Sequence, residues 1–288
     1  MHSKSQPRTA ARSGPALAPV EDLLVLADGS AAAANALAYA EALAPDGNVT
    51  ALMFGLMPGY PVSEFSGEAW LIARRDAETA AERAEAAFTE TLARHGSRAE
   101  LRRADVIAGE EGRVMAAQAR YVDAVIFGWP TAEAARPVRE FEAVLFNAGR
   151  PSILVPETCA LRGQPRRIMV AWSPTREASR AIHDALPFLA AAEQVGVVVV
   201  ASEWDILEPN PGDDMARHLA RHDIAVEVKN VPTGGRLVAS VLLDEARFQG
   251  AELIVMGGYS HSRTGEWLFG GVTRDMLGAL SVPVMMSH

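Results

Sequence analysis

The chain has a single cysteine, Cys159, among 288 residues. One thiol cannot close an intrachain disulfide, and it excludes a structural zinc site built from several thiolates. A reducing, cytoplasmic location is therefore expected. Long apolar runs are also missing: Val195 to Ala201 has only strand length, well short of the roughly 20 residues a membrane-spanning helix needs. Basic charge is not in excess, since the formal net charge is −9. Neither nucleic acid nor an anionic membrane is expected as a partner on general electrostatic grounds. No Gly-x-x-x-x-Gly-Lys-Ser/Thr stretch occurs, which excludes a P-loop nucleotidase, and no Gly-x-Gly-x-x-Gly follows a strand, which excludes the usual dinucleotide fingerprint.

What is present is the composition of a soluble globular protein, 49% hydrophobic and 22% charged, with length for two domains. Residues 1–20 carry Lys4, Arg8 and Arg12 without an acid and without a continuous apolar stretch, and they read as a disordered tail. Beyond them the chain repeats itself. Leu23 to Asp28-Gly29-Ser30, followed by an alanine-rich Ala31 to Leu43, reads as strand, turn and helix; Arg167 to Trp172-Ser173-Pro174-Thr175, followed by Arg176 to Ala190, repeats that order. Asp123 to Gly128 matches Glu252 to Gly257, and Arg150 to Pro156 matches Val282 to His288. Further apolar runs lie at Val49 to Phe54 and Val195 to Ala201, with more polar ones at Ala99 to Val106 and Ala225 to Val231. Helical segments such as Glu68 to Arg94 and Val238 to Phe248 separate them.

A tandem duplication accounts for all of this. Each half alternates strand and helix, and parallel neighbours need crossover helices, so the expected fold is α/β: two tandem Rossmann-like domains, each a five-stranded parallel sheet with helices on both faces. The domains are read as 21–157 and 166–288, with the boundary in Glu157 to Pro165. The final strands of the halves, Ser152 to Pro156 and Val284 to His288, are candidates for pairing with each other, because each would otherwise be an open sheet edge. In the helix over Arg74 to Arg94, Ala80, Ala84, Ala87, Phe88 and Leu92 are expected to face the core.

Ligands of open parallel sheets bind beyond the carboxyl ends of the strands, where strand order reverses. In the second half this singles out Ala171 to Thr175, Val200 to Ser202 and the loop from Met256 to Gly271. Gly257 leaves the strand there, and Gly270-Gly271 precedes Val272-Thr273, the start of the last helix. Glycines at a helix start let backbone amides approach a phosphate, with Ser260, His261, Ser262 and Arg263 as nearby polar support. Ordinary turn glycines before a capped helix are the alternative. Trp172 could stack on a base or fill the core.

From residue 21 onward the chain resembles a tandem universal stress protein, a HUP-type member of the wider adenine-nucleotide-binding superfamily. Members that bind ATP show, after the fourth strand, a glycine, two residues, a glycine, nine residues, a glycine and a serine or threonine. Gly257 and Gly270 keep that spacing, while Ser260 replaces the second glycine and Gly271 the final hydroxyl residue. The family's aspartate after the first strand corresponds to Ser173 in the second half and is kept as Asp28, in Asp28-Gly29-Ser30, in the first. No phosphate loop follows Gly128, where Trp129-Pro130 stands instead. What the resemblance implies is a nucleotide site in the second half made by Ala171, Trp172, Ser173, Val200, Met256, Gly257, Ser260, His261, Arg263, Gly270, Gly271, Val272 and Thr273, taking ATP with magnesium. The first half, degenerate at its loop, is structural or takes another ligand.

Other chemistries find little support. Gly258-Tyr259-Ser260-His261-Ser262 imitates part of a hydrolase nucleophile elbow but lacks the closing glycine. His218 and His222 share a helix face at metal-ligand spacing without the glutamate of a metalloprotease motif, and they read as solvated histidines. No catalytic residue and no protein-bound metal is assigned. The expected function is a stress-response binding module with a weak or altered adenine-nucleotide site in its second half, an intramolecular pseudo-dimer that changes how it meets an unidentified protein partner when the nucleotide binds. A nucleotide-independent interaction protein with relic loops and a slow ATP hydrolase stay open, as does further assembly into a homodimer.

Overall fold

A computed structural model describes residues 20–59, 67–159, 163–201, 211–259 and 271–288. The expected tail over 1–20 lies outside the described residues except for Val20, which packs against the core.

The first half runs β1 (Asp22–Leu26), α1 (Ala31–Leu43), β2 (Asn48–Met57), α2 (Gly67–His95), β3 (Glu100–Ile107), α3 (Glu111–Ala119), β4 (Ala124–Trp129), α4 (Val138–Asn147) and β5 (Ser152–Pro156). The second runs β6 (Arg167–Ala171), α5 (Arg176–Ala191), β7 (Gln194–Ala201), α6 (Pro211–Ala220), β8 (Val226–Pro232), α7 (Val238–Gln249), β9 (Leu253–Gly257), α8 (Gly271–Gly278) and β10 (Val284–Ser287). The expected alternation is present in both. The hydroxyl residues at the helix starts act as caps: Ser30 Oγ accepts from the Ala33 N–H at 3.0 Å, and Thr175 Oγ1 accepts from the Ala178 N–H at 3.2 Å.

Each half contributes the expected five parallel strands, and the expected pairing of the two final strands joins them. The strands form one ten-stranded sheet in the order β3-β2-β1-β4-β5-β10-β9-β6-β7-β8. Pairing is parallel within each half and antiparallel at the seam, where Val284, Met285 and Met286 of β10 lie opposite Leu154, Ile153 and Ser152 of β5. The reason is the one that made the two final strands candidates for pairing: each is short, buried on both faces and has an edge to satisfy. Alternate residues feed two apolar layers, and each layer runs through the seam without a break. One contains Val25, Ile126, Ile153, Met285, Val255 and Ile168. The other contains Leu24, Val125, Leu154, Val284, Ile254 and Met169.

The expected core face of α2 is corrected. Phe88 and Leu92 do turn inward, but the alanine that joins them is Ala81, whereas Ala80, Ala84 and Ala87 are exposed. Alanine occurs on every side of this helix, so alanine positions alone do not single out a face. The neighbouring strand does: a Cβ on Gly55 of β2 would stand 3.1 Å from the Ala81 methyl.

Candidate functional site

In the second half, strand order reverses between β6 and β9, which both start from the centre of that half. Their carboxyl ends are in register, Ala171 opposite Met256. This places the residues after β6, the residues after β9 and the start of α8 around one crevice, as an open parallel sheet requires.

Of the expected site residues, Ser260, His261, Arg263 and Gly270 lie outside the described residues, as do Ser262 and Ser202. Among the rest, Ala171, Val200, Met256 and Val272 pack into the same apolar layer, with Thr273 buried in the first turn of α8. Trp172 does not join them. Its ring packs against the opposite layer, and its Nε1–H donates to the carbonyl of Pro211 at 2.9 Å, at the start of α6. Of its two readings, core filling is the one the packing bears out, because successive residues of an extended chain point to opposite faces. Ser173 is exposed, and its carbonyl accepts from the Thr175 N–H at 2.7 Å.

Gly257 also has a packing role that the sequence did not reveal. A Cβ there would lie 2.5 Å from the Ala178 nitrogen and 2.7 Å from the Glu177 carbonyl carbon, so this glycine exists to let the first turn of α5 press against β9. Gly128 does the same job in the first half, with a Cβ placed 2.3 Å from Ala32 backbone atoms. Gly271 differs: among the described residues a Cβ would meet nothing within 4 Å and its backbone is not left-handed, so they make no demand for glycine at the first position of α8.

The crevice wall holds a residue missing from the expected set. Tyr259, directly after Gly258, has φ of 53°, in the left-handed region that non-glycine residues rarely occupy. Its N–H donates to Thr273 Oγ1 at 3.0 Å, its hydroxyl donates to Glu142 Oε1 at 2.8 Å, and its ring centroid is 5.2 Å from that of Phe146. Burial, followed by the hydrogen bond to Glu142, pushes the phenol well above its ordinary pKa, so it stays a donor. Nearby, His288 Nδ1 lies 3.0 Å from the Gly258 carbonyl, and its ring sits 4.8 Å from Phe146, edge to face. Glu142 is 117 residues from Tyr259, and no sequence signal links them.

Glu177, in the first turn of α5, is a second omission. Burial alone would raise its carboxyl, but hydrogen bonds from Arg176 and from its own backbone, with the nearby charge of Arg176 and His288, hold it below the usual range. It is thus an ionised, internally satisfied group.

In the first half, Asp28 is exposed, and its Oδ1 accepts from the Ser30 N–H at 2.8 Å across Gly29, whose φ is 79°. The acidic turn shapes the start of α1. Where the second half has Gly258, the first has Trp129, only 3% exposed, with its Nε1–H donating to the carbonyl of Leu277 at 2.9 Å. His218 and His222 are exposed with ring centroids 5.0 Å apart. Among the described residues no group of three or more His, Cys, Asp or Glu is placed to hold a metal ion, and no helix is long and apolar enough to cross a membrane.

The fold and crevice define a tandem α/β protein whose two halves share one sheet. Residues 165–288 match the sequence model of the Universal stress protein family. Over nearly its full length the chain is similar in fold to the crystal structure of a universal stress protein from Archaeoglobus fulgidus DSM 4304, with a TM-score of 0.68, 15% identity, and 92% of this chain and 97% of that one covered. A functionally unknown protein from Pseudomonas aeruginosa PAO1 is similar at a TM-score of 0.55 and 13% identity, with 92% of each chain covered. A universal stress protein solved in complex with cAMP covers 44% of this chain and 99% of its own at 15% identity and a TM-score of 0.34, too low a likeness to bear on this crevice. No curated protein matches the sequence.

Proposed function

We propose that the protein is a tandem universal stress protein whose second half binds an adenine nucleotide, ATP with magnesium, in the crevice between β6 and β9, and that it acts as a stress-response binding module. The observation that carries this reading is Gly271. It opens α8 beside the strand-order reversal, and none of the described residues needs it to be glycine. A helix start supplies unpaired N–H groups and partial positive charge, and a missing side chain leaves them open to a phosphate. The described residues offer no metal-ligating cluster, so the magnesium is assigned to the nucleotide.

Binding without turnover is the activity proposed. Ser173 stands exposed where the resemblance places a carboxylate, and Glu177 is spent on Arg176. The same Ser173, together with the packing role of Gly257, favours the second reading, an interaction protein that needs no nucleotide.

Calorimetric titration of nucleotide-stripped protein with ATP and magnesium, with AMP in parallel, separates the two. One saturable site per chain is expected, with no phosphate release on long incubation. Gly271→Asp places a carboxylate at the start of α8, where it suits the helix dipole and repels phosphate. It should weaken ATP binding at least about tenfold with the thermal midpoint unchanged or raised. Equal affinity in that variant, or no binding and no thermal stabilisation at millimolar ATP, would overturn the assignment.

A further inference from the structure

We propose that the first half of the chain positions the crevice of the second through Glu142 and Phe146 of α4, which brace Tyr259 where the chain leaves β9. This rests on the nucleotide reading above and gives the first half a role in it.

Tyr259 and Asp223 are the non-glycine residues with positive φ among the described residues. Asp223 is an exposed turn residue of a type that tolerates this region. Tyr259 is a bulky aromatic and needs holding, and it is held at three points. Its N–H is fixed by Thr273 in the first turn of α8, its hydroxyl by Glu142, and its ring by Phe146. One residue thereby ties the exit of β9 to the start of α8, the two elements that frame the proposed phosphate site, and ties both to the opposite half.

The brace has a counterpart across the seam. The exit of β4 is fixed to the end of α8 by the hydrogen bond from Trp129 to the Leu277 carbonyl, so the last helix of each half leans on the other's crevice. The two differ in kind. Trp129 is buried in the apolar layer, whereas Tyr259 and Glu142 are only partly buried and lie outside the β5–β10 pairing that joins the halves. Cutting the Tyr259–Glu142 bond should therefore loosen the crevice without opening the seam.

The test uses the full chain with Tyr259→Phe, Glu142→Leu, the double variant and the conservative Glu142→Gln, which keeps an acceptor for the phenol. Without nucleotide, hydrogen exchange of the residue 259 amide should quicken about tenfold in the first three and return close to the parent rate in Glu142→Gln. With magnesium-ATP, affinity should fall about three- to tenfold in each single variant, no further in the double, and recover in Glu142→Gln, with the unfolding midpoint held within about 2 °C. Unchanged exchange at residue 259 overturns the brace whatever the nucleotide does. Unchanged affinity in variants of a protein that does bind ATP overturns its role in binding. Should the parent chain bind no ATP, the nucleotide reading fails, and the coupling to the crevice that rests on it fails with it, while quickened exchange would still establish the brace as a contact between halves.

Discussion

A Cβ on Gly257 would stand 2.5 Å from the backbone nitrogen of Ala178, and one on Gly271 would meet nothing within 4 Å. The two glycines share a sequence motif, yet one answers to a helix and the other to none of the described residues. Gly257→Ala forces α5 away from β9 and should cost about 3 kcal/mol in urea unfolding, since backbone cannot yield as a side chain can. Gly271→Ala should leave the urea midpoint unchanged or raise it slightly, because alanine suits a helix better. Equal losses at both positions would contradict this division. The spacing of the motif was legible in the sequence; the reason for Gly257 was not, because its constraint comes from Glu177 and Ala178, some 80 residues earlier in the chain. Tyr259 was hidden for the same reason. A tyrosine between a glycine and a serine reads as loop until Glu142 is brought beside it.

Among the elements, strands and helices were legible where local chemistry decides them. Ser30 and Thr175 mark helix starts by residue type, and each caps its helix as that type should. Replacing either by alanine should cost about 1 kcal/mol in thermal or urea unfolding, and Ser30→Gly less than Ser30→Ala. A loss near zero for both would mean that solvent satisfies those N–H groups equally well. The buried face of α2 was not legible, because a helix with alanine all round can turn several faces inward, and Gly55 on β2 favours the one carrying Ala81. The antiparallel seam lay between these cases. That β5 and β10 could pair with each other was legible from their apolar runs, but the antiparallel direction of that pairing was not.

For the molecule as a whole, two apolar layers that cross the seam without interruption leave no plane along which one half could melt alone. Scanning calorimetry should show a single transition with calorimetric and van't Hoff enthalpies in agreement, despite the duplicated sequence. Two resolved transitions would show that the halves are thermodynamically separate. Ile153→Asp, at the centre of the seam, should lower that one transition by at least about 10 °C, since it buries an unpaired charge in the shared core. Strand direction reverses only at the β5–β10 pair. The carboxyl ends of β1 and β4 therefore lie along one rim of the sheet and those of β6 and β9 along the opposite rim. On one rim the last position of β4 is a buried tryptophan; on the other, α8 starts at a glycine that none of the described residues crowds. The reversal at the seam thus gives the molecule a front and a back. On the function proposed above, a partner that responds to an occupied crevice would have one direction of approach, without the two-fold ambiguity of a symmetric dimer.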